Sequence, residues 1–113
     1  MFIQTEQTPN PQTLKFLPGK VVMDLGTAFF QSNEESNNSP LAKRLFEVEG
    51  VKGVFLGSDF ITITKDDKLD WQVIKPALLG AIMDHYSSGE EVINNVKDDK
   101  GKSNILSLNL KTL

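Results

Sequence analysis

A chain of 113 residues, 39% apolar and 24% charged, has the composition of one soluble domain, large enough to bury a core and too apolar for wholesale disorder. Its net charge of −3, with 12 basic residues that nowhere cluster, excludes a nucleic-acid footprint and gives no attraction to an anionic membrane. It has no cysteine, which excludes disulfides, thiolate nucleophiles and cysteine-held metal centres within the chain, and a single histidine, His85.

No stretch reaches the roughly 18 consecutive apolar residues of a membrane span. The opening Met1-Phe2-Ile3-Gln4-Thr5-Glu6 lacks both the basic and apolar regions of a secretory signal and the Arg- and Ser-rich character of a transit peptide. These features predict a cytoplasmic, bacterial protein.

In chain order, Phe2–Thr5 reads as a strand running into the turn Thr8-Pro9-Asn10-Pro11, where two prolines exclude helix. Thr13–Leu17 alternates, with Leu14 and Phe16 on one face and Thr13 and Lys15 on the other. Val21–Met23 and, more weakly, Thr27–Phe30 are further short strand candidates. Residues 31–39 are polar without apolar anchors and predict a mobile surface loop. Ser39-Pro40 then reads as the cap and first residue of a helix whose stripe is Leu41, Leu45 and Val48, closed by Gly50.

Val51–Leu56 and Phe60–Lys65 form a hairpin around Gly57-Ser58-Asp59. Ile61 and Ile63 share one face, while Phe60 falls with Thr62 and Thr64 on the polar one, as an interface anchor or a residue covered by a second layer. After the turn Asp66-Asp67-Lys68, Asp70 reads as the cap of a longer helix. Its stripe is Trp71, Ile74, Leu78, Ala81, Ile82 and His85, and Ser87-Ser88-Gly89 ends it. Pro76 predicts a kink or an irregular first turn. Residues 94–113 read as a linker or tail, with Leu106, Leu108 and Leu110 alternating as in one more edge strand. The pattern is α+β: a small antiparallel sheet with two helices packed on one side, in the order β-β-α-β-β-α, with room for extra short strands.

Little of this is catalytic. Gly50, Gly53 and Gly57 lie in the wrong order for a phosphate loop. Asp84-His85 is a weak metal pair, able at most to anchor a ferrous-iron site with nearby carboxylates. A hydrolase would have to borrow His85 for Asp84 or Asp59, with Ser58-Asp59 lacking any local base. Asp66, Asp67 and Asp70 lack the spacing of a calcium loop and read as a solvated turn plus a cap. Trp71 reads as a core aromatic whose indole N–H finds a partner.

Three blocks resemble the N-terminal domain of Nfu-type iron–sulfur scaffold proteins. They are residues 1–19, MFIQTEQTPNPQTLKFLPG; Ser39–Ala42 with Leu45-Phe46 and Gly50–Thr62; and Asp70-Trp71 with Lys75-Pro76-Ala77, Gly80-Ala81-Ile82 and Ser88-Gly89. The resemblance covers residues 1–93. It implies an α+β domain, not an enzyme, in a family that assembles, carries and delivers iron–sulfur clusters to client apoproteins. It further implies that the cluster sits on a Cys-x-x-Cys motif of a separate C-terminal domain, so this chain binds none. No such motif follows residue 93, which predicts an excised or stand-alone N-terminal domain. The expected partners are cluster carriers, client apoproteins and an Nfu-type cluster-binding domain. Carried over by motif, the expected contact residues are Thr8, Pro9, Asn10, Pro11 and Lys15 from the first block, and Gly57, Ser58, Asp59 and Phe60 from the second. The Thr-Pro-Asn-Pro segment is open to two readings, a lock on strand register or a contact surface.

Overall fold

The computed structural model describes residues 1–94. Five strands form one antiparallel sheet: β1 (Gln4–Gln7), β2 (Thr13–Leu17), β3 (Ala28–Phe30), β4 (Val51–Leu56) and β5 (Ile61–Lys65). Two helices complete the α+β fold, α1 (Pro40–Phe46) and α2 (Trp71–Ser88). The spatial order is β1-β2-β5-β4-β3, so the second hairpin inserts β5 beside β2 and leaves β1 and β3 as edges.

Alternation along the strands sorts the sheet into two faces. Leu14 and Phe16 of β2, Ile61 and Ile63 of β5, and Val54 and Leu56 of β4 are buried in one cluster with Leu41 and Leu45 of α1 and Ile74, Leu78 and Ile82 of α2. Both helices therefore cover the same face. Within β4 the partner of Val51 is Lys65 but that of Gly53 is Thr64, a bulge that takes Lys52 out of the pairing. One extra residue reverses the alternation, which lets Val51 join Val54 and Leu56 on the helix side.

Helix α1 starts as its sequence predicts. The Ser39 hydroxyl accepts from the Ala42 N–H at 3.1 Å, and Pro40 occupies the first turn where no N–H is needed. The same buried hydroxyl donates to the Val92 carbonyl at 2.7 Å, tying the chain after α2 to the start of α1. The helix ends at Phe46, before Gly50, whose φ of 100° turns the chain into β4.

Several expectations are corrected. Residues 31–39 are not a featureless loop: Glu34–Ser36 form a 3₁₀ turn, with Ser36 buried and its hydroxyl donating to the Asn33 carbonyl at 2.6 Å. Val21–Met23 is not a strand. Instead the Val22 N–H donates to the Ser58 carbonyl at 2.8 Å and the Met23 N–H to the Gly57 carbonyl at 3.1 Å, which buries Val22 beneath the hairpin turn. Helix α2 runs unbroken through Pro76, which lies on its exposed side where losing one backbone bond is tolerated. Asp70 has the extended backbone of a cap, but its carboxylate makes no capping hydrogen bond. The expected strand at Leu106–Leu110 lies outside the described residues.

Candidate functional site

The expected contact residues fall on two surfaces. On the face without helices, alternation and register collect Phe29 of β3, Gly53 and Phe55 of β4, Thr62 and Thr64 of β5, and Thr13 and Lys15 of β2. Phe29 is the direct cross-strand partner of Phe55 and is 56% exposed, while its ring passes over Gly53. Phe60, just before β5, stacks on Phe55 with ring centroids 5.9 Å apart. The Lys15 ammonium sits 4.6 Å from the Phe60 ring centroid, a cation–π contact, and 3.9 Å from the Glu6 carboxylate of β1.

Among the described residues, Phe60 is thus neither free in solvent nor covered by a second layer. It lies half-buried in a row of three aromatics with a cation at its end. Phe29 and Phe55 went unnoticed in the sequence. The available signal was simple alternation along β4, which puts Phe55 on the opposite face from Val54 and Leu56.

The Gly57–Asp59 corner is partly committed to the fold. The Gly57 N–H closes the turn onto the Phe60 carbonyl at 2.9 Å, and the Gly57 and Ser58 carbonyls hold residues 22 and 23. A Cβ on Gly57 would overlap the Phe60 ring, so this glycine allows the ring to lie down against the turn. Asp59 is exposed, with its carboxylate 3.5 Å from the Ser58 hydroxyl.

The Thr8–Pro11 corner lies at the other end of β2. Its polar groups are engaged internally. The Thr8 hydroxyl lies 2.8 Å from the Thr13 carbonyl and 2.9 Å from that of Asn10, and accepts from the Asn10 N–H at 3.2 Å. The Asn10 side chain accepts from the Gln12 N–H at 2.9 Å. These bonds fix the turn and hence the register of β1 on β2. On the helix side the corner borders a groove of about 630 Å³, shared with Thr5 and Gln7 of β1, Leu14 of β2, and Trp71, Gln72 and Lys75 of α2. Trp71 is not a core residue. It is half-buried at the groove wall, and its indole N–H donates to the Pro11 carbonyl at 3.0 Å.

His85 is fully buried, as its phase on α2 predicts, with its ring edge-on to Tyr86 at 5.3 Å. Asp84 is exposed, and neighbouring side chains on a helix diverge by about 100°. The two therefore do not converge on one point, and no group of three or more potential metal ligands assembles among the described residues. A histidine this enclosed is also out of reach of any substrate held at Asp59. In the acidic turn, the Lys68 N–H donates to the Asp66 carboxylate at 2.9 Å. That bond, with Lys52 and Lys68 nearby, lowers the carboxyl below its ordinary range.

Burial disfavours the imidazolium, and Arg44 adds to this while Glu90 opposes it, so His85 titrates below the ordinary 6.5. Neither ring nitrogen has a hydrogen-bond partner among the described residues. The unfolded chain binds a proton at His85 near pH 6.5 while the folded chain resists it. Stability from this residue is present above pH 6.5 and falls as pH drops toward the lowered folded value. Urea unfolding of wild type between pH 7 and 5 is expected to show that loss. His85→Leu should flatten it, and parallel slopes would remove His85 as its source.

The fold and its surfaces define a small α+β domain with a hydrogen-bonded Thr8–Pro11 turn and an aromatic sheet face. The family model described as "Scaffold protein Nfu/NifU N terminal" matches residues 3–89, and the chain belongs to that family. It is 51% identical over 90 residues to NifU-like protein 5, mitochondrial, of Arabidopsis thaliana, covering 80% of this chain and 33% of that protein. It is 52% identical over 98 residues to the NFU1 iron-sulfur cluster scaffold homolog, mitochondrial, of Drosophila sechellia, covering 86% of this chain and 35% of that protein. The chain thus spans about a third of the length of these relatives. The solution structure of a NifU-like protein from Saccharomyces cerevisiae superposes with a TM-score of 0.72 at 32% identity, over 81% of this chain and 83% of that one.

These relatives correct one expectation. A bacterial cytoplasmic location is overturned, because the similar plant and fly proteins are mitochondrial. The physical reason is that residues 4–7 are a strand of the sheet. Their composition answers to strand pairing with β2, not to location.

Proposed function

We propose that this chain is the protein-contact module of an iron–sulfur cluster scaffold and delivery protein. It holds no cluster itself and catalyses no reaction. Residues 1–93 form the module and 94–113 lie beyond it. The cluster sits on a separate cysteine-bearing domain or partner, since cysteine is missing from all 113 residues. The contacts are with cluster carriers, client apoproteins or an Nfu-type cluster-binding domain, in mitochondria as for the plant and fly relatives. Family membership supports the scaffold assignment. The observation that carries the contact role is the row Phe29, Phe55, Phe60 ending at Lys15, on a sheet face that no helix covers among the described residues. Phe55 and Phe60, half-buried and stacked on each other, lose little side-chain entropy on binding, which is what interface anchors require.

The test is calorimetric titration of the chain with the two-thirds of the fly relative that it does not cover. Phe60→Ala is expected to raise Kd at least about tenfold, about 1.4 kcal/mol, with an unchanged circular dichroism spectrum. Unaltered affinity in that variant would take Phe60 out of the contact.

A further inference from the structure

We propose that the groove between β1 and the first turns of α2 binds an extended peptide segment in which a carboxylate residue adjoins an apolar one. Its backbone pairs with the free edge of β1. The site lies on the opposite side of the sheet from Phe60, so it stands or falls separately from the contact face proposed above.

The first ground is the edge itself. β1 has one neighbour, β2, so every second residue turns its N–H and C=O outward without a strand partner among the described residues. β1 carries neither proline nor lysine, the residues that commonly block edge pairing. Four residues of strand offer roughly 13 Å of backbone to a bound chain. Strand addition at such an edge supplies affinity through main-chain bonds and leaves specificity to pockets beside it.

The second ground is a pocket of suitable shape on the helix side of that edge. Thr5 and Gln7 project toward the helices, since they pair with the buried Phe16 and Leu14. Across the groove stand Trp71, Gln72 and Lys75, with Leu14 and Pro11 supplying apolar surface. The Trp71 ring is fixed before any ligand arrives, by its bond to the Pro11 carbonyl and by the Lys65 ammonium 5.6 Å from the ring centroid. Lys65 is held in turn by the Gln12 side chain at 2.7 Å and the Asp66 carbonyl at 3.2 Å. A wall preorganised in this way costs little to bind against.

The third ground is charge. Lys75 is the one ionisable residue lining the groove, and it makes no ion pair among the described residues. The Thr8 and Asn10 side chains are engaged within their turn, so Lys75, with the amides of Gln7 and Gln72 and the Thr5 hydroxyl beside it, is left to recognise side-chain chemistry. A carboxylate complements the ammonium, and an apolar neighbour fits the Trp71–Leu14–Pro11 surface.

Panning a library of displayed linear octapeptides against the whole 113-residue chain tests this. Trp71, the only tryptophan, serves as a fluorescent reporter, and amide NMR shifts locate the contact. Enriched peptides are expected to place Asp or Glu beside an apolar residue and to shift Thr5, Gln7 and the Trp71 indole. Both Lys75→Glu and Lys75→Gln should weaken them at least about fivefold. N-methylation of alternate peptide amides should weaken binding comparably, because it removes the donors that pair with β1. Failure to enrich any peptide overturns the proposal, as does enrichment without acidic residues or affinity indifferent to both Lys75 variants. Shifts at Lys15, Phe29 and Phe60 instead would end the groove proposal and support the contact face. If Phe60→Ala leaves peptide binding intact while Lys75→Glu abolishes it, the groove stands whatever the calorimetric test of the contact face returns.

Discussion

Phe16→Ala is expected to cost about 3–5 kcal/mol of folding stability, the range for removing a buried aromatic ring. Phe16 is fully buried on β2, between Thr5 of β1 and Ile61 of β5, on the face of the sheet that the helices cover. The space is not readily refilled, because the flanking strands are fixed by their own ladders and the rest of the buried cluster is already close-packed. Small domains have only about 5–15 kcal/mol in total, so this one change brings the fold near its limit. Urea denaturation followed by Trp71 fluorescence measures it, as a lower midpoint at constant slope. Leu17→Ala, one residue further and on the face without helices, should cost much less. Equal losses at the two positions would mean that the faces are assigned wrongly.

Gly50→Ala is expected to be the second largest loss, about 2–4 kcal/mol. Two penalties coincide there. The backbone has φ of 100°, a conformation that an L side chain adopts only with strain, and a Cβ would overlap Leu69 Cδ1. Gly89 separates these terms, since its φ is 77° but the space around it is open. Gly89→Ala should therefore lose only the backbone part, about 1 kcal/mol. A thermal unfolding comparison of the two variants reads the difference directly. Equal losses would show that Leu69 gives way freely.

Most of the fold was legible because the signals were local. The Ser39-Pro40 cap, the turn at Gly57–Asp59, the alternation of Ile61 and Ile63 and the stop at Gly89 each depend on a few neighbouring residues, and each fell where the chemistry of those residues predicts. The failures came where the deciding partner lies far along the chain or where the local signal is not apolar. Val21–Met23 looks like a strand, yet its amides bond to the hairpin carbonyls, a partner no window of the sequence contains. Residues 31–39 look featureless because a 3₁₀ turn built on Ser and Asn hydrogen bonds leaves no apolar period. Trp71 reads as core from its phase, but its indole bonds to the Pro11 carbonyl and its ring lines the groove beside the Thr8–Pro11 turn.

The candidate site divides in the same way. Residue types and motif order alone settle the scaffold family, the α+β class and the absence of cysteine chemistry, since these depend on composition and on short-range pattern. Which residues meet depends on β5 lying between β2 and β4. That placement sets Lys15 opposite Thr62, lays Phe60 between Lys15 and Phe55, and with β3 on the far edge completes the aromatic row with Phe29. The bond from Trp71 to Pro11 likewise forms only when α2 settles across the sheet. Alternation specifies that a side chain has a face, whereas the neighbours on that face come from pairing between segments far apart in the chain. Such pairing is decided by burial of the whole core, to which every strand contributes and which no single segment encodes.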